Sequence, residues 1–175
     1  MSKGFRRSVT AAATVLALGA GGAVWAATSA SAAPAAIGRC TANNLAVWVF
    51  ADSADGTAGT TYYHLEYTNL GRSTCELNGF PGVSATTLGR VQLGAPAARQ
   101  YGVPAKTIDI APGRSAHSVL GYEDVQVDPS CKPQNAGFLK VYPPNSVAAK
   151  RAFFPLSVCT TGRVDLNVRR VQAGL

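Results

Sequence analysis

The sequence predicts an all-β fold, an antiparallel β-sandwich braced by two disulfides. Three observations predict it. After residue 40 no window carries a sustained i, i+3, i+4, i+7 apolar pattern with a cap, so helix signals are nearly absent. Short alternating or β-branched runs recur instead, bounded by Gly, Pro, Asn and Asp. All four cysteines, Cys40, Cys75, Cys131 and Cys159, follow an export-type leader, and an even count in that context reads as two bridges.

The leader comes first in the chain. Residues 1–7 carry Lys3, Arg6 and Arg7 and no acid; residues 8–27 are uncharged and mostly small or apolar; TSASAAPAA follows. A basic start, an apolar middle and a small-residue end make a secretory signal peptide, a short helix expected over residues 1–32. The cut is expected after Ala32, with Ala30 and Ala32 at the two small-residue positions; a cut after Ala33 would leave Pro34 first and is disfavoured. The competing reading is a retained anchor, since an apolar run of about 20 residues just spans a bilayer. Gly19, Gly21 and Gly22 make it a poor permanent helix. Residues 33–39 read as a short linker and residues 40–175 as a single β-sandwich domain. No cysteine directly follows the apolar run and the last residues, RRVQAGL, are not apolar, so the expected location is secreted and extracellular, with no stable membrane insertion after cleavage.

The whole chain carries +7, and loss of Lys3, Arg6 and Arg7 with the leader leaves +4. The basic residues are scattered along the sequence, with only Lys150-Arg151 and Arg169-Arg170 adjacent beyond the leader. Nucleic-acid binding draws on a clustered patch, so no nucleic-acid partner is expected.

The cysteines have no metal-type spacing and no CxxC, and only His64 and His117 accompany them. Four cysteines allow three pairings. Cys40–Cys75 with Cys131–Cys159 closes the shortest loops and is favoured. Each bridge would stabilise the fold by about 3–4 kcal/mol in the loop-entropy picture.

The strands follow in order. LAVWVFAD (residues 45–52) is β-branched and aromatic, with Leu45, Val47 and Val49 inward and Trp48 and Phe50 outward; SADGTAG is a turn. TTYYHLEYTN places Tyr63, Leu65 and Tyr67 on one face and Tyr62, His64 and Glu66 on the other. NLGRS is the next turn, and CELNGFPGVSATTL holds one or two short strands broken at Gly79-Phe80-Pro81-Gly82, with Phe80 and Val83 entering the core. Residues 90–94 hairpin back through Gly89, and residues 95–106 form a longer irregular loop. KTIDI places Ile108 and Ile110 inward, Ala111-Pro112-Gly113 turns, and SAHSVLGYED places Ala116, Ser118, Leu120 and Tyr122 together. VDPSCKPQNAG is a loop, FLKVYPP a strand, and residues 152–158 a strand in which Pro155 marks an edge or bulge. VDLNVRRV alternates, with Val164, Leu166 and Val168 inward and Asp165, Asn167 and Arg169 outward. About seven to nine short strands with closely spaced turns suit a sandwich.

TNLGRSTCELNGFPGV, a Thr-Asn, a short polar turn, Cys-x-Leu-x-Gly and aromatic-Pro-x-Val, resembles the signature of a secreted actinobacterial family known as domain of unknown function 4232. LGAPAAR is similar to that family's Gly-x-Pro-Ala-x-Arg element, IDIAPGRSAHSVL to its apolar-x-Pro-Gly-x-Ser-Ala strand pair, and CKPQNAGFLKVYPP with the late Cys159 to its closing part. The resemblance runs roughly from Cys40 to Val171. It implies an exported or envelope-tethered, Ig-like β-sandwich and brings no general activity with it. The chain departs from lipoprotein members in lacking a lipobox.

Chemistry-bearing residues are sparse. Cys75 has no neighbouring base in sequence and three oxidisable companions, so a bridge that pins the loop into GFPGV is the expected role. His64 reads as an exposed strand histidine. His117 lies between Ser115 and Ser118 without a Gly-x-Ser-x-Gly elbow. DSADG and EDVQVD do not match a calcium loop, and the loop acids Asp52, Asp55, Glu123, Asp124 and Asp128 read as a solvated face. No catalytic residue, metal ligand or cofactor is expected. The remaining candidates are aromatic: Trp48, Tyr62 and Tyr101, with Tyr142 beside them, could stack on sugars or anchor a protein. The expected function is a non-catalytic binding module for a protein or envelope glycan, through that surface or through loops 52–60 and 95–106. The alternatives are a secreted hydrolase with a dispersed Ser-His-acid site, and a secreted protease inhibitor inserting Arg99 or Lys132.

Overall fold

In Thr60–Asn69 the side chains alternate, and Leu65 and Tyr67 are fully buried while Tyr62 and His64 are not. Pairing on both sides explains it: this strand lies antiparallel to Leu45–Phe50 on one side and to Ser115–Glu123 on the other. The computed structural model describes residues 36–50, 56, 59–102, 104, 106–161 and 163–174. The expected leader, its cut at Ala32 or Ala33, residues 33–35 of the linker and most of loop 52–60 lie outside the described residues.

In chain order the strands are β1 (Gly38–Arg39), β2 (Leu45–Phe50), β3 (Thr60–Asn69), β4 (Cys75–Leu77), β5 (Gly82–Thr86), β6 (Gln92–Leu93), β7 (Ala98–Arg99), β8 (Ile108–Ile110), β9 (Ser115–Glu123), β10 (Pro133–Tyr142), β11 (Lys150–Cys159), β12 (Leu166–Val168) and β13 (Gln172–Ala173). Two 3-10 turns, Ala42–Asn44 and Val125–Val127, complete the regular structure, and the described residues hold no α-helix. One sheet runs β2-β3-β9-β12-β7 with β13 also on β9; a second runs β11-β10-β5-β6; a small third sheet is β1-β4-β8. The described residues form an all-β sandwich. Leu65, Leu120 and Val168 of the first sheet, Val83, Leu139 and Val141 of the second and Ile110 of the third share one core. Each such side chain contributes about 1.5–3 kcal/mol by leaving water. Across the layers, Tyr63 meets Phe154 edge to face at 4.8 Å.

The disulfides join Cys40 to Cys75 and Cys131 to Cys159, the pairs whose loops are shortest. Cys40 lies beside β4, and its N–H donates to the Glu76 carbonyl at 3.0 Å. The residues before it therefore pair in parallel with β4, Gly38↔Cys75 and Arg39↔Glu76. The expected linker thus contains a strand at its end. The second bridge acts similarly: Pro133 stands opposite Cys159, so β10 begins within the stretch expected to be a loop. A register shift between Ala136 and Phe138 lies across from Pro155 on β11, at the edge of its sheet.

Two expectations are corrected at β12. Asp165 and Asn167, expected outward, are 4% and 7% exposed, and Val164, expected inward, is exposed. β12 lies between β9 and β7, and both of its faces are covered. The Asn167 amide fills the space that a Cβ on Gly121 would take. Asp165 accepts a hydrogen bond from the Cys159 N–H and faces Arg163 Nε at 3.3 Å.

Candidate functional site

Gly79 adopts φ +108, a conformation strained for any residue with a Cβ, and turns the chain between β4 and β5. Its carbonyl accepts the Val171 N–H at 2.9 Å, which fastens the corner to the segment after β12. β7 runs parallel to β12 with Arg99 opposite Val168, and the Gln100 N–H donates to the Val168 carbonyl at 2.8 Å. Phe80, Arg99, Tyr101 and Arg170 are thereby drawn together from three distant stretches. Tyr142 joins them from the end of β10, where it stands opposite Gly82.

The result is a cleft of about 570 Å³ whose walls include Phe80, Arg99, Tyr101, Tyr142, Asn145 and Arg170. Phe80 and Tyr101 meet edge to face at 5.0 Å. The Arg170 guanidinium lies 4.6 Å, and that of Arg99 5.7 Å, from the Phe80 ring centroid, each a cation–π contact worth about 0.5–2 kcal/mol. Asn145, in the left-handed region at φ +59, donates its amide to the Asn78 carbonyl at 2.9 Å and holds the far wall. Chemically, the cleft combines ring faces on which a sugar can stack with planar forks that match a carboxylate.

The electrostatics leave those forks available. Among the described residues every ion pair converges on Arg163, which reaches Glu123 at 2.9 Å, Asp165 at 3.3 Å and Asp128 at 3.7 Å. The Glu123 hydrogen bond, ahead of the surrounding negative charge, holds the Arg163 guanidinium above its ordinary value. Burial raises the Asp165 carboxyl despite the Cys159 N–H and Arg163. Asp124 accepts from Gln126 N–H at 2.9 Å and caps a 3-10 turn. Asp128 also accepts from the Ser130 N–H at 2.9 Å, so these acids serve one arginine and two turns.

The sequence-nominated aromatics separate. Trp48, 47% exposed on β2, lies at one edge of the first sheet, and Tyr101, 72% exposed just past β7, at the opposite edge. Tyr62 on β3 faces the Trp48 side, with the Arg169 guanidinium 5.5 Å from its ring. Only Tyr101 and Tyr142 belong to the cleft. Phe80, expected in the core, is half-buried and lines the cleft, while Val83 is buried as expected. Arg99 lies in β7, within the stretch expected to be a loop, and Lys132 is exposed, its carbonyl accepting from the Thr160 N–H at 3.1 Å. His64 is half-buried against His117, ring centroids 4.8 Å apart, and neither Nδ1 has a hydrogen-bond partner. Burial, and then His64, push the His117 imidazole below its ordinary value.

Sequence reasoning missed Phe80 and Arg170. The available signal was the Gly-Phe-Pro-Gly corner: a side chain at a chain reversal has no alternation to send it inward.

A family model described as Domain of unknown function (DUF4232) matches residues 40–174. No curated protein and no solved structure matches the chain.

Proposed function

This chain belongs to the family described as domain of unknown function 4232, and from that premise we propose that it is a secreted, extracellular, non-catalytic binding module whose cleft around Phe80 holds an acidic saccharide of the cell envelope. The observation that carries the reading is convergence. Phe80 of the aromatic-Pro-x-Val element, Arg99 closing the Gly-x-Pro-Ala-x-Arg element and Tyr142 of VYPP are far apart in sequence and line one cleft. Leu77 and Gly79 of the same elements have structural duties in core and turn. Phe80 and the two arginines leave ring and guanidinium surface toward the cleft. Two disulfides suit an oxidising compartment, and no helix among the described residues is long and apolar enough to cross a membrane.

Binding proceeds by stacking of a sugar face on the Phe80–Tyr101 pair while Arg99 and Arg170 take the carboxylate. The test is calorimetry with digalacturonate and with uncharged cellobiose. The reading expects the acidic sugar alone to bind, and Arg99→Ala with Arg170→Ala to weaken it at least tenfold. Equal binding of both sugars, or of neither, contradicts it.

A further inference from the structure

We propose that the ligand is a long anionic polysaccharide, because a second basic groove lies next to the cleft on the β11-β10-β5-β6 sheet. The proposal rests on the saccharide reading of the cleft and extends it.

The register places the groove. Thr86, Phe138 and Phe153 form one cross-strand row, and Ser84, Lys140 and Arg151 the next. Their neighbours Ala85, Leu139 and Ala152 point to the core, so both rows lie on the sheet's other face, where Ser84 and Thr86 are buried while Phe138, Lys140, Arg151 and Phe153 keep accessible surface. Thr86, Arg90, Lys140, Ala149 and Arg151 line a groove of about 440 Å³. The Arg151 guanidinium lies 3.9 Å from the Phe138 ring centroid and donates to the Leu88 carbonyl at 3.4 Å. Phe138 meets Phe153 edge to face at 5.5 Å. The Lys140 ammonium is 5.0 Å from the Tyr142 ring centroid, and Tyr142 is also a wall of the first cleft. Tyr142, a wall of the first cleft, thus touches Lys140, a wall of the groove. From Tyr142 to Phe138 the stripe runs about 13 Å along β10.

Charge selects the occupant. Neither residues 77–108 nor residues 129–164 contain an Asp or Glu, and all four strands of this sheet fall within those spans. The cations that looked scattered in sequence, Arg90, Lys140, Lys150 and Arg151 among them, are gathered by the fold on a sheet without an acid. Rings alternating with fixed cations along a trough suit a chain of sugar rings bearing charges at regular intervals. A ligand confined to the first cleft would leave this stripe unused.

The experiment compares digalacturonate with a decagalacturonate by calorimetry on the oxidised protein. Two linked contacts raise affinity through effective concentration, so the long chain should bind at least tenfold tighter. Lys140→Glu with Arg151→Glu should remove that gain and leave digalacturonate affinity unchanged. Lys140→Gln with Arg151→Gln provides the same test should the charge-reversed protein not fold. Arg72→Glu with Arg114→Glu, an equal charge change on exposed turns elsewhere, should preserve the gain. A missing length gain, a gain that survives the Lys140 and Arg151 changes, or one lost equally in the Arg72 and Arg114 control overturns the proposal. So does tighter binding of phosphatidylglycerol vesicles or single-stranded DNA than of the long galacturonate. If the long chain alone binds, through Lys140 and Arg151, the groove stands and the reading of the first cleft fails.

Discussion

The Arg170 guanidinium packs 4.6 Å from the centroid of the Phe80 ring, so the ring that shapes the cleft also aims its cation. Phe80 further contacts Tyr101 and Arg99, which makes it the hub. Phe80→Ala removes a stacking surface and frees both guanidiniums to sample other rotamers. The expected loss is about tenfold in digalacturonate affinity, on the order of 1–2 kcal/mol, read by calorimetry. Phe80 is half-buried at a corner rather than in the core, so the folded protein should persist, as thermal melts would show.

Asn69 is a structural counterpart to that hub. It is 1% exposed; its amide donates to the Ser73 and Ile110 carbonyls at 2.9 and 2.8 Å, and its Oδ1 accepts the Gly71 N–H at 2.8 Å. One side chain thus holds the turn after β3 and ties it to β8. Asn69→Ala leaves these groups without partners, at least one of them buried, and should cost about 2–4 kcal/mol. The midpoint of urea unfolding should fall accordingly, and a shift near zero would count against this assignment.

His117 predicts an acid-side loss of stability. Burial, reinforced by His64, lowers its folded-state value below the ordinary 6.5. The unfolded chain therefore takes up the proton first as pH falls. Stability from this group is complete above about pH 6.5 and declines as the pH drops from there toward the lowered folded value. Asp165, whose raised value favours the fold on the acid side, acts in the opposite sense nearer its own range. Thermal melts from about pH 7.5 down to about pH 5 should show Tm falling, and His117→Gln should flatten that fall.

Legibility followed the kind of burial. The period-two patterns of β3 and β9 placed Leu65, Tyr67, Ala116 and Leu120 correctly, because the apolar row of each strand faces the core, although His117 and Gly121 on the other face of β9 are covered as well. The bridges followed from loop length alone. β12 defeated the same reasoning because Asp165 and Asn167 are buried on its second face, Asp165 against the Cys159 N–H and Asn167 in the room above Gly121. Alternation cannot separate a polar residue facing water from one facing a partner. The cleft was less legible still. Phe80, Arg99, Tyr142 and Arg170 share no local pattern, and only the β7–β12 and β5–β10 pairings bring them together. The basic sheet was hidden for the same reason: Lys140 and Arg151 become neighbours only through the β10–β11 register.

The most direct test of the cleft is an amide chemical-shift map of the oxidised protein titrated with digalacturonate. Perturbations concentrated at Gly79–Phe80–Gly82, Arg99, Tyr101, Tyr142–Asn145 and Arg170 are the predicted result. Perturbations concentrated instead around Trp48 and Phe50 on β2, or none at saturating sugar, would contradict it.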